Sequence, residues 1–308
     1  MSVTFICPDC LIPLQSFSCT RCQKTYPLQD GVWRFSDSAY SENFGFQWQR
    51  HAKTQLDSHS GKSISRDRLY AQSGWSAESL KGRTVLECGS GAGRFTEILA
   101  QTGCDLLTFD LSEAVMANYQ NNHHYPNVRF FQASIYDLPI PQESVDYCVC
   151  LGVLQHTPNV QKTFQCLLEP LKKGGRFCFD VYAAPYSFLH PRVLIRPFTR
   201  KMNPQKLYRR VERAVPYLLP ISNGFHKLPV IGAYLARMVP VANWRQNLSL
   251  NNEKQWREWA VLDTFDWLSA TYERPVFKRE IIRWCQELRL SFFEVERRRG
   301  LYVVRGVK

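Results

Sequence analysis

Long apolar runs are missing from these 308 residues: no stretch approaches the roughly 18–20 that a membrane-spanning helix needs. The opening residues, Met1 to Pro8, lack a basic start and an apolar core, so the expectation is a chain without a signal peptide, working in the cytoplasm. Acids are scarce, 27 against 39 Lys and Arg, which leaves a net charge of +12. The scarcity is local. Between Pro185 and Ala260 stand thirteen Lys or Arg against three acids, Glu212, Glu253 and Glu258. What is plentiful is core material. With 44% hydrophobic and 13% aromatic residues, nothing in the composition suggests disorder. The length suits one large α/β domain with something small attached.

Eleven cysteines would mean disulfides in a short secreted chain, but four of these stand in pairs within the first 22 residues and the others are scattered. Cys7-Pro8-Asp9-Cys10 and Cys19-Thr20-Arg21-Cys22 are two C-x-x-C pairs eight residues apart. Each suits a tight knuckle whose amides point at thiolates, and two knuckles supply four ligands for tetrahedral Zn²⁺. Four sulfurs leave no open coordination position, so the expected role is structural. Lys24–Phe35 reads as a strand, an Asp30-Gly31 turn and a second strand.

The informative stretch is Lys81–Asp110. Thr84–Cys88 reads as a buried strand, Gly89-x-Gly91-x-Gly93 as a turn, and Arg94–Ala100 as an amphipathic helix; Leu106–Phe109 is a second strand ending at Asp110. Glycines there let a ligand approach the backbone and let the helix pack on the sheet. Asp110, at the carboxyl end of the second strand, is placed to accept hydrogen bonds from ribose hydroxyls. A dinucleotide dehydrogenase is the obvious rival. Against it stands Glu87 just before the turn: an acid would repel a pyrophosphate, whereas adenosylmethionine brings an ammonium and a sulfonium. Further strands follow at Asn127–Ser134, Ser144–Cys150 and Arg176–Tyr182, the last opened by the turn Leu171-Lys172-Lys173-Gly174-Gly175.

This order, with Gly152-Val153-Leu154-Gln155-His156-Thr157-Pro158 after the fourth strand, resembles the class I S-adenosylmethionine-dependent methyltransferases over roughly residues 44–182, and again near the C-terminus. The resemblance implies a Rossmann-like α/β fold, a seven-stranded sheet with an antiparallel C-terminal hairpin. It also implies that Glu87, Gly89, Gly91 and Gly93 line the methionine end of the cofactor and that Asp110 binds the ribose. Leu111, Ser134 and Ile135 would surround the adenine, with Ser134 standing where the family usually has an acid, and Leu151 would border the transferred methyl group. Phe44–Arg50 looks like the flap that closes over the cofactor in related enzymes, the alternative being an aromatic helix packed on the core. The cysteine knuckles with Tyr26-Pro27 and Asp30-Gly31 resemble the zinc-ribbon module related to the Trm112 family, which supports or recruits and does not catalyse.

The expected division is a zinc ribbon at 1–36, a helical linker and flap at 37–80, the methyltransferase core at 81–182, a basic helical lid at 183–260, and the rest of the sheet at 261–308. Methyl transfer is an SN2 displacement, and a base helps when the acceptor is a hydroxyl or amine. His156 is the best-placed titratable group for it, the alternative being that it only supports its loop. No Asp/Asn-Pro-Pro-Tyr/Phe follows the fourth strand, which removes the clamp for exocyclic amines, and no Pro-Cys stands there for covalent attack on a cytosine. Arg297-Arg298-Arg299 reads as a solvated turn, and Asp263–Trp267 resembles a stretch near the acceptor pocket in bacterial enzymes of sugar and natural-product clusters. The expected partner is a small-molecule acceptor, saccharide-like, phosphorylated or lipid-linked, methylated at oxygen. The basic lid leaves three readings: a cover over a small acceptor, a contact with anionic lipid, or an RNA face as in an RNA methyltransferase. A zinc-ribbon adaptor with a degenerate core is the non-enzymatic rival.

Overall fold

The computed structural model describes residues 3–36, 42–185, 190–246 and 248–308, and not the side chains of 42–44. Phe44 of the expected flap and the first residues of the 37–80 linker thus lie outside the described side chains. The strands are β1 (Leu28–Gln29), β2 (Val32–Arg34), β3 (Thr84–Cys88), β4 (Asp105–Asp110), β5 (Val128–Gln132), β6 (Val145–Cys150), β7 (Leu171–Tyr182), β8 (Phe292–Arg298) and β9 (Leu301–Val307). The helices are α1 (Glu42–Arg50), α2 (Asp57–Ser60), α3 (Ile64–Ser73), α4 (Ala77–Leu80), α5 (Thr96–Ala100), α6 (Ala114–Asn122), α7 (Val160–Leu168), α8 (Pro191–Thr199), α9 (Pro204–His226), α10 (Gly232–Arg237), α11 (Glu253–Ser269) and α12 (Lys278–Glu287).

The strands form one sheet in the order β1-β2-β5-β4-β3-β6-β7-β9-β8. β3 to β7 run parallel and β8–β9 close the C-terminal side as an antiparallel hairpin, the Rossmann-like arrangement of seven strands. The centre is buried on both faces, as a parallel sheet must be. Phe164 and Trp284 of α7 and α12 cover one face; Leu69, Leu99 and Val115 of α3, α5 and α6 cover the other. The strand order reverses between β3 and β6, and their carboxyl ends open a crevice there.

The sheet has nine strands because the N-terminal ribbon is built into it. β2 pairs in parallel with β5, Trp33 opposite Phe131 and Arg34 opposite Gln132. The Asp30-Gly31 turn joins β1 and β2, with both residues at positive φ, 48° and 80°. Phe5 packs against Phe35 and Phe131 at 5.1 and 5.2 Å between ring centroids, so the ribbon shares the core of the larger domain. Arg34 adds an ion pair with Glu113 at 3.0 Å.

Two expected boundaries move. Leu171–Gly175, expected as a turn, is strand: a register irregularity sets Leu171 opposite Val145 and Arg176 opposite Tyr147, and Lys308 bonds the backbone of Gly174 and Gly175. The expected division at residue 260 falls inside α11, whose Trp259, Val261 and Phe265 are buried in one continuous helix that runs to Ser269. No helix among the described residues is long and apolar enough to cross a membrane.

A shared core gives a shared transition. Phe5→Ala is expected to lower stability by about 3–5 kcal/mol, with ribbon and sheet unfolding together in one denaturant transition. Two separate transitions would show the ribbon folding by itself.

Candidate functional site

A cavity of about 1420 Å³ starts at the β3–α5 turn and runs under α8–α11. Its floor is the glycine turn. Gly89 takes φ of 69°, and a Cβ there would meet Val153 at 2.4 Å, so any side chain would push the turn off the β6 loop. The Gly89 and Ser90 amides donate to the Phe109 carbonyl, each at 2.9 Å, tying the turn to β4. The Asp110 carboxylate then holds the turn from the side: Oδ2 accepts from the Gly91 amide at 2.9 Å and Oδ1 from the Ser112 amide and hydroxyl at 2.8 and 2.7 Å. Burial raises the Asp110 pKa from its ordinary value, and the backbone donors work against that rise.

Gly89, Gly91, Asp110, Leu111, Ile135 and Leu151 all line the cavity. From α1, Gln47 and Trp48 close it, the Trp48 ring lying where a Cβ on Gly91 would approach within 3.1 Å. Glu87, Gly93 and Ser134 are not among the lining residues. Alternation along β3 turns Glu87 to the α5–α6 side, where its Oε2 accepts from Thr96 and Thr108 at 2.5 and 2.8 Å. Asn118 braces both threonines. Gly93 presses against α6, since a Cβ there would meet Asn118 at 2.1 Å. The Ser134 hydroxyl accepts from the Tyr136 amide in its own turn.

Four buried polar atoms around the cavity have no hydrogen-bond partner among the described residues: the side-chain carbonyls of Gln47, Gln72 and Gln155 and the Ser90 hydroxyl. A buried acceptor without a donor costs roughly 1–3 kcal/mol. Three such carbonyls suit a ligand that brings N–H donors and positive charge. Sequence reading missed the glutamines, because a lone uncharged Gln carries no spacing signal.

The far half of the cavity holds His156, Arg192, Asp263 and Asp266. His156 Nδ1 donates to the Tyr272 carbonyl at 3.0 Å, and Nε2 lies 3.9 Å from Asp266. Burial drives its pKa down to about 4, so the ring is neutral near pH 7 and its proton sits on Nδ1. Asp263 and Asp266, three residues apart on α11, project to the same side, and burial raises both to about 7. The Trp244 and Trp259 indoles donate to Asp263 at 2.6 and 3.1 Å. Glu273 anchors the other wall, pairing with Arg192 and Arg196 at 3.4 and 3.1 Å. Neither this pairing nor the half-buried Arg94, which bonds Gln55 and Ser65, was visible in the sequence. The hairpin arginines 297–299, expected as a solvated turn, lie along the cavity rim.

At the other end of the ribbon, the sulfurs of Cys7, Cys10, Cys19 and Cys22 all lie within 4.8 Å of one another. The Cys22 amide points at Cys19 Sγ at 3.5 Å, and the Tyr26 hydroxyl sits 3.2 Å from Cys7 Sγ.

Residues 86–179 match the family model described as a methyltransferase domain. Among curated proteins it is similar to a phosphoethanolamine N-methyltransferase of Triticum aestivum, 35% identical over 33% of this chain and 21% of that protein. It is also similar to a ubiquinone biosynthesis O-methyltransferase of Coxiella burnetii, 28% identical over 53% of this chain and 76% of that protein. The chain spans about a fifth of the length of the first curated relatives it matches. A solved magnesium protoporphyrin IX methyltransferase from Synechocystis, with bound S-adenosylhomocysteine, is similar at 14% identity and a TM-score of 0.46, covering 87% of this chain and 96% of that one.

Glu87 yields a pH test. Burial raises its pKa from an ordinary 4.5 to about 7. Below 4.5 the carboxyl is protonated folded or unfolded; as pH rises to about 7 only the unfolded chain releases its proton, so stability falls across that window. Glu87→Gln keeps an acceptor for both threonines and is expected to flatten that slope, measured as denaturation midpoint at pH 5, 6, 7 and 8. A slope unchanged by the substitution would show that Glu87 titrates normally.

Proposed function

We propose that the chain is an S-adenosylmethionine-dependent methyltransferase acting at oxygen on a small acceptor held beneath the 191–269 lid. The observation that carries this reading is the set of unpartnered carbonyls of Gln47, Gln72 and Gln155 in one cavity with a glycine turn latched by Asp110. Those acceptors suit the ammonium and sulfonium end of adenosylmethionine. Asp110 suits the ribose hydroxyls, and Leu111 and Ile135 offer apolar walls for the adenine. Bound there, the cofactor supplies an electrophilic methyl group. The chain's own work is to place the acceptor in line, exclude water, and take a proton.

His156 is the base in this reading. With Nδ1–H engaged by Tyr272, its Nε2 lone pair points toward the Asp266 side of the cavity, and its low pKa keeps it ready at neutral pH. A hydroxyl acceptor would give its proton to Nε2 as the oxygen attacks. Arg192 and the two aspartates favour a polar, saccharide-like or phosphorylated head. The relatives named above, by their own names, methylate small molecules. In the same reading the four ribbon thiols hold a structural Zn²⁺, as in a Trm112-like module, since four sulfurs at this separation match a closed tetrahedral site. Eleven cysteines, all free thiols, suit a cytoplasmic, reducing setting.

Calorimetric titration with S-adenosylhomocysteine is expected to show saturable binding, which Asp110→Ala weakens roughly 10- to 100-fold through loss of about 1.5–3 kcal/mol of charge-assisted hydrogen bonding. No binding by the wild-type chain would sink the reading. Once an acceptor is found, His156→Ala should leave cofactor affinity unchanged and lower kcat by roughly 10²-fold or more. An unchanged kcat between pH 6 and 9 removes His156 as the base. Metal analysis of the purified chain should give one zinc per molecule, lost in Cys7→Ser together with melting temperature, because the ribbon shares the core of the sheet. A zinc-free wild-type chain would rule the metal out.

A further inference from the structure

Among the described residues, thirteen large apolar side chains are exposed, and nine of them fall between Leu194 and Met238. Seven of the nine sit on the outer side of the α9–α10 hairpin. Tyr217, Ile221 and Leu228, four and then seven residues apart, form one stripe along α9 and the turn after it; Ile231, Tyr234 and Met238, three and then four apart, form another along α10. Gly232 packs so tightly on the Phe225 carbonyl, 2.2 Å from where a Cβ would stand, that the two stripes run side by side. At the tip between them Val230 is fully exposed and at φ 63°, a backbone region β-branched residues rarely adopt. The core does not use this face, because α9 meets α11 through Leu207, Val211 and Val215 on its other side.

Cations frame the apolar surface. Arg209, Arg213 and Lys227 are exposed and form no ion pair among the described residues, and Glu212 is the single acid from 191 to 246. The inner side of the same hairpin lines the cavity, through Ser222, His226, Ala233 and Ala236. A contiguous apolar patch with a cationic rim, on helices that cannot span a bilayer, fits the interface between headgroups and acyl chains. A nucleic acid would satisfy the cations and leave Val230 and Ile231 in water.

We propose that the α9–α10 face rests on an anionic lipid surface, its apolar side chains among the acyl chains and its cations at the headgroups, with the cavity beneath the same helices receiving a lipid-borne acceptor. The docking does not depend on methyl transfer, and its test does not use activity. The full chain is to be sedimented with phosphatidylcholine vesicles and with vesicles containing about a third phosphatidylglycerol, at low and at about 0.5 M salt. Expected are binding to the anionic vesicles that weakens with salt, and at least a roughly tenfold loss in either Val230→Asp with Ile231→Asp or Arg213→Glu with Lys227→Glu. Both double variants should melt as the wild type does, which separates lost docking from lost folding. Absence of binding to anionic vesicles overturns the proposal. So does vesicle binding that the aspartate variant leaves intact, or salt-sensitive binding to an RNA duplex that exceeds vesicle binding.

Discussion

The bond from the Gly91 amide to Asp110 is the constraint around which the cleft is arranged. A glycine turn is free to take many shapes, and this one is fixed by contacts from β4: the Phe109 carbonyl takes two of its amides and Asp110 the next. With the turn held, Leu111 and Ile135 stand at one side of the opening and Trp48 at the other. Glu87 works behind the same turn, where its ties to Thr96 and Thr108 bind β3 to α5 and β4. Two carboxylates thus brace one loop from opposite sides. Only the one that opens into the cavity is in a position to meet a ligand.

The sheet was largely legible in the sequence because each of its parallel strands is buried on both faces and reads as a short apolar run ended by a turn signal. Asp110, Leu111, Ile135 and Leu151 were legible too, since a strand's carboxyl end fixes where its last side chains stand. The contacts of Glu87 were not legible, for a physical reason. An acid beside a glycine turn is equally able to face a ligand or a pair of threonines, and the threonines are 9 and 21 residues away in the chain. The glutamines of the cavity and the Glu273 pairing with Arg192 and Arg196 were invisible because they are assembled by tertiary contact, between elements with no shared spacing.

The two halves of the cavity differ in charge logic. Near the glycine turn, neutral carbonyls stand without donors. Beneath α8–α11, half-buried acids and a neutral imidazole gather: Asp266 helps to raise the Asp263 pKa, and Arg192 and Arg196 pair with Glu273. A site so arranged can hold a positively charged donor at one end while keeping proton-accepting groups at the other.

The union of β2 with β5 has an effect beyond stability. Without β2, the last parallel strand would present a row of open amides and carbonyls, with Phe130 and Phe131 beside them. That is a template for another chain. The short ribbon therefore covers a flank of the sheet that β5 would otherwise leave open to strand pairing.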